Sequence, residues 1–174
     1  HWANKYDIKY ILNGGNISTE CVRNPKEWIY YGTDFVHLNS ILKKFGTVDL
    51  KSFPLSSIFY HKLYLKYVRR IHVVKPLNLL PYNKSEAQAE LNALYGWESF
   101  NQKHFESRFT RFYEGYWLPT RFGFDTRRVQ FSSLILTGQM TREEALRELK
   151  EESYNLVSID DDFKYIANKL GISV

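Results

Sequence analysis

The chain has 174 residues, of which 44% are hydrophobic and 17% aromatic, and 24 Lys and Arg stand against 19 Asp and Glu for a formal charge of +5. That length and apolar share suit a globular fold with a real core and exclude a disordered tail. The basic balance favours anionic partners such as nucleotides, sugar phosphates, nucleic acid or acidic lipid.

The opening "HWANKYDIKYIL" reads as the end of a helix running into a strand over residues 8–12. The turn "NGGN" follows it. Thr33 or Asp34 caps a helix that Gly46 closes. Residues 54–70 read as a helix with Pro54 in its first turn, and "IHVV" as a second strand ended by Lys75 and Pro76. Ser85 and Gln88 make a capping box for a helix to Tyr95, with Gly96 as its stop. The stretch "KHFESRFTR" starts a helix over 103–118 that Pro119 ends. Asp125 caps a helix to Thr137, and Gly138 ends it. Thr141 with Glu144 is a second capping box, and Ser158 or Asp160 caps a last helix to Leu170. The result is a helix-rich chain with two short strands.

On a helix, His104, Arg108 and Arg111 form a polar stripe beside Phe105, Phe109 and Phe112. Arginine forks suit phosphate, and Lys103 and His104 stand near the helix start, where backbone N–H groups also favour anions. Glu106 projects from another face and is suited to orient a cation. An amphipathic helix with phenylalanines in the core and arginines in water explains the same residues. Arg127 and Arg128, at the start of the next helix, are placed for a small anion.

The glycines of "NGGN" let backbone approach a ligand, and Asn13 and Asn16 add amide groups. A double glycine is as often a plain turn. Glu20 is a nearby carboxylate for a Mg²⁺-bound nucleotide. The five histidines lack paired ligand spacing, and Cys21 is the single cysteine, so no zinc site or internal disulfide is expected and a reducing, cytoplasmic setting fits. No apolar run approaches membrane-spanning length. The helix–turn–helix pattern over 125–151 is acid-rich in its second half, which argues against DNA. Residues 50–85 hold no acid and many basic and aromatic residues, whereas 143–162 hold eight acids. Such a split suits an anion-binding face with an acidic tail, or two solvated faces.

Taken in order, "IKYILNGGN", "KPLNLLPYNKSEA", "YGWESFNQKHFESRFTRFYEGYWLPTRFGFDTRR" and "SSLILTGQMTREEAL" resemble the N-acetyl sugar amidotransferases. These belong to the PP-loop ATP pyrophosphatase superfamily and act in bacterial surface-polysaccharide biosynthesis. The resemblance covers roughly residues 6–150. It implies an α/β fold: the C-terminal part of a PP-loop, adenine nucleotide alpha hydrolase-like fold, with few short parallel strands and a helical extension. The nucleotide-binding portion would span 1–82 and a helical substrate and partner region 83–174, or the two would be continuous.

The implied reaction converts an acetamido group on a nucleotide-linked sugar to an acetamidino group in LPS or O-antigen synthesis. ATP with Mg²⁺ would activate the amide oxygen, and ammonia from a glutaminase subunit would displace AMP. A cyclase-like subunit would accompany the glutaminase. Asn13, Gly14, Gly15, Asn16, Glu20 and Lys75 would shape the nucleotide site. Lys103, His104, Glu106, Arg108, Arg111, Arg127 and Arg128 would serve the substrate and its phosphates. No residue is assigned a catalytic role, and no metal ligand is assigned.

The superfamily's Ser-Gly-Gly-x-Asp-Ser loop is absent, since Asn13 precedes the Gly14-Gly15 pair. With His1 first and Met140 the single methionine, the chain reads as a piece of a longer polypeptide, inactive alone. Two other readings stand beside this one. The first is a tRNA-modifying PP-loop enzyme using the basic 50–85 stretch. The second is a non-catalytic helical module that binds a glutaminase.

Overall fold

The computed structural model describes residues 2–20, 23–28, 34–48, 50, 55–98, 104–154 and 159–173. In chain order the main elements are α1 (Trp2–Lys5), β1 (Tyr10–Leu12), α2 (Ile17–Glu20), α3 (Phe35–Phe45), a π-helical stretch Tyr60–Val68, and β2 (His72–Val74). Then come α4 (Lys84–Tyr95), α5 (Arg108–Phe112), a second π-helical stretch Tyr113–Trp117, α6 (Leu118–Phe122), α7 (Arg127–Leu136), α8 (Arg142–Glu148) and α9 (Ile159–Leu170). The chain divides into two compact units, His1–Gly14 with Pro25–Leu79, and Gly15–Asn24 with Leu80–Val174.

In the first unit β1 and β2 pair in parallel, Tyr10 opposite His72, Ile11 opposite Val73 and Leu12 opposite Val74. The helix-rich α/β expectation with short parallel strands is met at this level. Ile11, Leu12 and Val73 are all exposed. Parallel strands are normally covered on both faces, and the exposure of these residues sets this pair apart from an ordinary parallel sheet. α3 begins as expected, with the Asp34 side chain accepting from the Val36 N–H and Gly46 closing the last turn. The alternative cap Thr33, the proline Pro54 and Cys21 lie outside the described residues. The helix expected over 54–70 instead starts at Ile58.

Every described residue that is buried lies in the second unit, with Phe112, Ala145, Tyr154, Ile166 and Ala167 as its apolar centre. The Phe112 ring meets Phe163 edge-on at 5.0 Å and lies 5.8 Å from Tyr116, which joins α5 to α9. The α8 capping box forms as the sequence predicts: Glu144 N–H donates to Thr141 Oγ1 and Thr141 N–H donates to Glu144 Oε2. α4 is capped by Asn83 rather than Ser85, because its side-chain oxygen accepts from both the Ser85 and Glu86 N–H groups. α7 starts at Arg127, whose N–H is held by the Asp125 carboxylate. α9 ends at Leu170, as expected; of the caps proposed for it, Ser158 lies outside the described residues and Asp160 falls inside the first turn.

The helix expected over 103–118 is different. His104 takes a left-handed backbone, φ 67°, which no helix interior tolerates. Ser107 then acts as N-cap and the helix opens at Arg108. Pro119 does not stop it either. The preceding turn widens so that the Leu118 N–H reaches Tyr113 O, and Pro119 sits in the first turn of α6. A proline at 119 cannot donate to Gly115 O, and the Ser153 hydroxyl donates there instead at 2.6 Å. Gly115 has no room for a side chain, since a Cβ would lie 2.9 Å from the Phe105 ring. The helix ends at Gly123, φ 69°.

Candidate functional site

The second unit contains a cavity of about 380 Å³. Each wall comes from a different stretch of chain. Ser18 and Thr19 of α2 form one side. Thr19 is held by Asn16, which is buried; its amide oxygen accepts from the Thr19 N–H and its amide N–H donates to the Thr19 hydroxyl. Tyr82 and Lys84 lead into α4, which adds Gln88 and Leu91. Gln139 ties this wall down, accepting from the Lys84 N–H at 2.9 Å and donating to Tyr82 O at 3.0 Å. Gly96 turns left-handed after α4 and brings Trp97 to the rim, where Asn92 donates to its carbonyl. Gln130, Phe131 and Leu134 of α7 close the opposite side.

His104 and Glu106 complete the lining. Both lie in the turn before α5, His104 Nδ1 stands 3.8 Å from Glu106 Oε1, and both side chains are about half exposed. The left-handed backbone at His104 is what aims the imidazole into this turn rather than along a helix. The ionisable side chains among the lining residues are Tyr82, Lys84, His104 and Glu106.

Arg108 and Arg111 hold an anion, and it belongs to the chain itself. Asp162 of α9 is fully buried. Arg108 Nε donates to its Oδ1 at 2.7 Å. Arg111 reaches both oxygens, Nε to Oδ2 at 2.9 Å and an Nη to Oδ1 at 2.8 Å. The Tyr154 hydroxyl donates to the same carboxylate. Arg108 also lies over the Tyr165 ring, 4.3 Å from its centroid. Burial alone would raise the Asp162 pKa. The hydrogen bonds from Tyr154, Arg111 and Arg108 together outweigh it and hold the carboxyl below the usual range.

Arg127 is likewise committed. Its guanidinium pairs with Asp125 at 2.8 Å and donates to the carbonyls of Glu148 and Glu151. Arg128 is exposed on α7, Glu20 is exposed at the end of α2, and Lys103 lies outside the described residues. In the first unit Asn13 and Lys75 follow directly on the carboxyl ends of β1 and β2, and the Asn13 N–H donates to Val74 O. Gly14 is exposed, and a Cβ there would meet nothing within 4 Å, so no close approach demands glycine. Gly15 belongs with the second unit.

Residues 106–174 match the family model described as LPS biosynthesis protein WbpG-like, C-terminal domain. No curated protein and no solved structure matches the chain. The likeness points to LPS biosynthesis and to a WbpG-like C-terminal part. The Asp162 cluster lies wholly inside the WbpG-like segment and fastens its first helix to its last. The cavity draws its Glu106, Gln130, Phe131 and Leu134 from that segment and the rest from before it.

Sequence reasoning missed Tyr82, Gln88, Trp97, Gln130 and Phe131 as cavity walls, because each reads locally as an ordinary core or surface residue. It also missed Asp162. The signal was present: Asp162, Phe163, Ile166 and Leu170 share helical spacing, so one acid sits on an apolar stripe and needs a partner. Among the described residues no helix is long and apolar enough to cross a membrane, and no group of three His, Cys, Asp or Glu side chains gathers to hold a metal ion.

Proposed function

We propose that the chain is the C-terminal part of a PP-loop N-acetyl sugar amidotransferase acting in LPS or O-antigen biosynthesis. One observation carries the reading. Three of the four stretches that resemble that family supply walls of a single cavity, through Tyr82 and Lys84, through Trp97, His104 and Glu106, and through Leu134. The remaining stretch reaches it through Asn16, which holds Thr19. The match of residues 106–174 to a C-terminal domain named for LPS biosynthesis supports the same assignment.

ATP is the second substrate in this reading. Asn13 and Lys75 follow the carboxyl ends of parallel strands, where open α/β sheets take nucleotides. The uncovered apolar faces of β1 and β2 suit a strand pair that belongs to a larger nucleotide-binding sheet. Mg²⁺ would arrive with the phosphates, as it commonly binds through one or two carboxylates and the nucleotide. ATP makes the amide oxygen a leaving group, and ammonia from a glutaminase subunit takes its place.

The test is turnover by the full-length protein with MgATP, ammonium and a nucleotide-linked acetamido sugar. The expected products are the acetamidino sugar, AMP and pyrophosphate, while the 174-residue chain alone releases no pyrophosphate. Pyrophosphate release by the chain alone, or no amidine from the full-length protein, contradicts the reading.

A further inference from the structure

We propose that the cavity is the sugar half of the substrate site, and that His104, oriented by Glu106, is the group that takes a proton from the incoming ammonia. The inference rests on the amidotransferase reading and adds to it the location of the sugar and a catalytic residue.

The lining decides which part of the substrate enters. Tyr82, Trp97 and Phe131 offer aromatic faces, on which the C–H face of a pyranose packs. Gln88 and Gln130 offer amides that donate to and accept from hydroxyls. A volume of about 380 Å³ lies in the range of small-molecule sites. Arg108, Arg111 and Arg127 are spent on Asp162 and Asp125, and no arginine is among the lining residues, where Lys84 is the one ammonium. The fit is therefore to the uncharged sugar, with the nucleotide diphosphate lying outside the cavity.

His104 is marked by its backbone. Among the described residues three non-glycine positions take a left-handed backbone, Asp7, Arg70 and His104, and His104 is the one that lines this cavity. Backbone strain of this kind persists where the surroundings enforce it and gathers at functional sites. Glu106 faces its Nδ1 at 3.8 Å, a separation that closes readily when a substrate enters. A carboxylate there fixes the tautomer and leaves Nε2 free to accept. Lys84 and Tyr82 are the other titrating groups on the walls.

The step balances. The ammonia nitrogen forms a bond to the acetamido carbon whose oxygen ATP has activated. The carbon–oxygen bond breaks and its electron pair leaves with AMP. One proton passes from the nitrogen to His104 Nε2, and the product remains as the amidinium cation.

The experiment measures amidine formation by the full-length enzyme. His104→Asn is expected to lower kcat by about 100-fold or more. Glu106→Gln has a smaller effect, and added imidazole restores part of the activity of His104→Ala. Trp97→Ala raises KM for the sugar and leaves KM for ATP unchanged. Wild-type kcat in His104→Asn, or no imidazole rescue of His104→Ala, overturns the proton-transfer role. A rise in KM for ATP rather than sugar in Trp97→Ala overturns the placement. If the wild type forms no amidine, the function falls and this inference with it.

Discussion

Asp162→Ala is expected to destabilise the second unit by about 3 kcal/mol, the lower end of the cost of breaking a buried ion pair. The carboxylate is fully buried and accepts from Arg108, Arg111 and Tyr154, which come from α5 and from the segment before α9. Removing it takes from the Tyr154 hydroxyl its hydrogen bond to the buried carboxylate. The cost stays at the lower end because the Arg108 and Arg111 side chains are 42% and 30% exposed and can turn to water. Denaturant unfolding followed by aromatic fluorescence measures it. A midpoint equal to the wild type contradicts the account.

The same carboxylate gives the unit an acid limit. Its folded pKa is lowered, so its contribution is fully present above the unfolded value of about 3.9. It is lost as pH falls through the folded value. Stability should therefore drop below about pH 4, and the drop should be smaller in Asp162→Asn.

Arg111→Ala is expected to cost more than Arg108→Ala, because Arg111 reaches both oxygens of Asp162 whereas Arg108 reaches one. A loss of about 2–3 kcal/mol follows from a buried carboxylate that keeps one guanidinium and one hydroxyl. Adding Arg111→Ala to Asp162→Ala should cost less than the sum, since the second change removes a charge that has already lost its partner. Strict additivity in that double-mutant cycle would show that the pair is not coupled. Any loss of nucleotide-sugar binding in these variants should track unfolding.

This outcome changes the meaning of "KHFESRFTR". Its spacing suits a packed helix and an anion grip equally, and the structure divides the stretch between them. Arg108 and Arg111 grip an anion that is structural, 54 and 51 residues away in sequence. No local pattern reveals a pairing at that distance. His104 and Glu106 leave the helix and join the cavity, because a left-handed residue and a serine cap break the stripe. Features set by nearest neighbours were legible: the Asp34 cap, the Thr141–Glu144 box, Gly96 as a stop, and both strands. Features set by distant chain were not. Pro119 reads as a helix stop until Ser153 is seen to satisfy the carbonyl it leaves open.

The cavity walls show the same limit. Trp97 owes its position to the Gly96 turn and the Asn92 hydrogen bond, and Thr19 owes its position to Asn16. Each of these is local. Their meeting with Phe131 and His104 is a property of the folded unit.

The most direct test of the central claim is a titration of the chain with UDP-N-acetylglucosamine, followed by backbone amide chemical shifts. The account predicts shifts at Thr19, Tyr82, Gln88, Trp97, His104 and Phe131. Shifts confined to Arg108, Arg111 and their neighbours, or no shifts at saturating ligand, would contradict it.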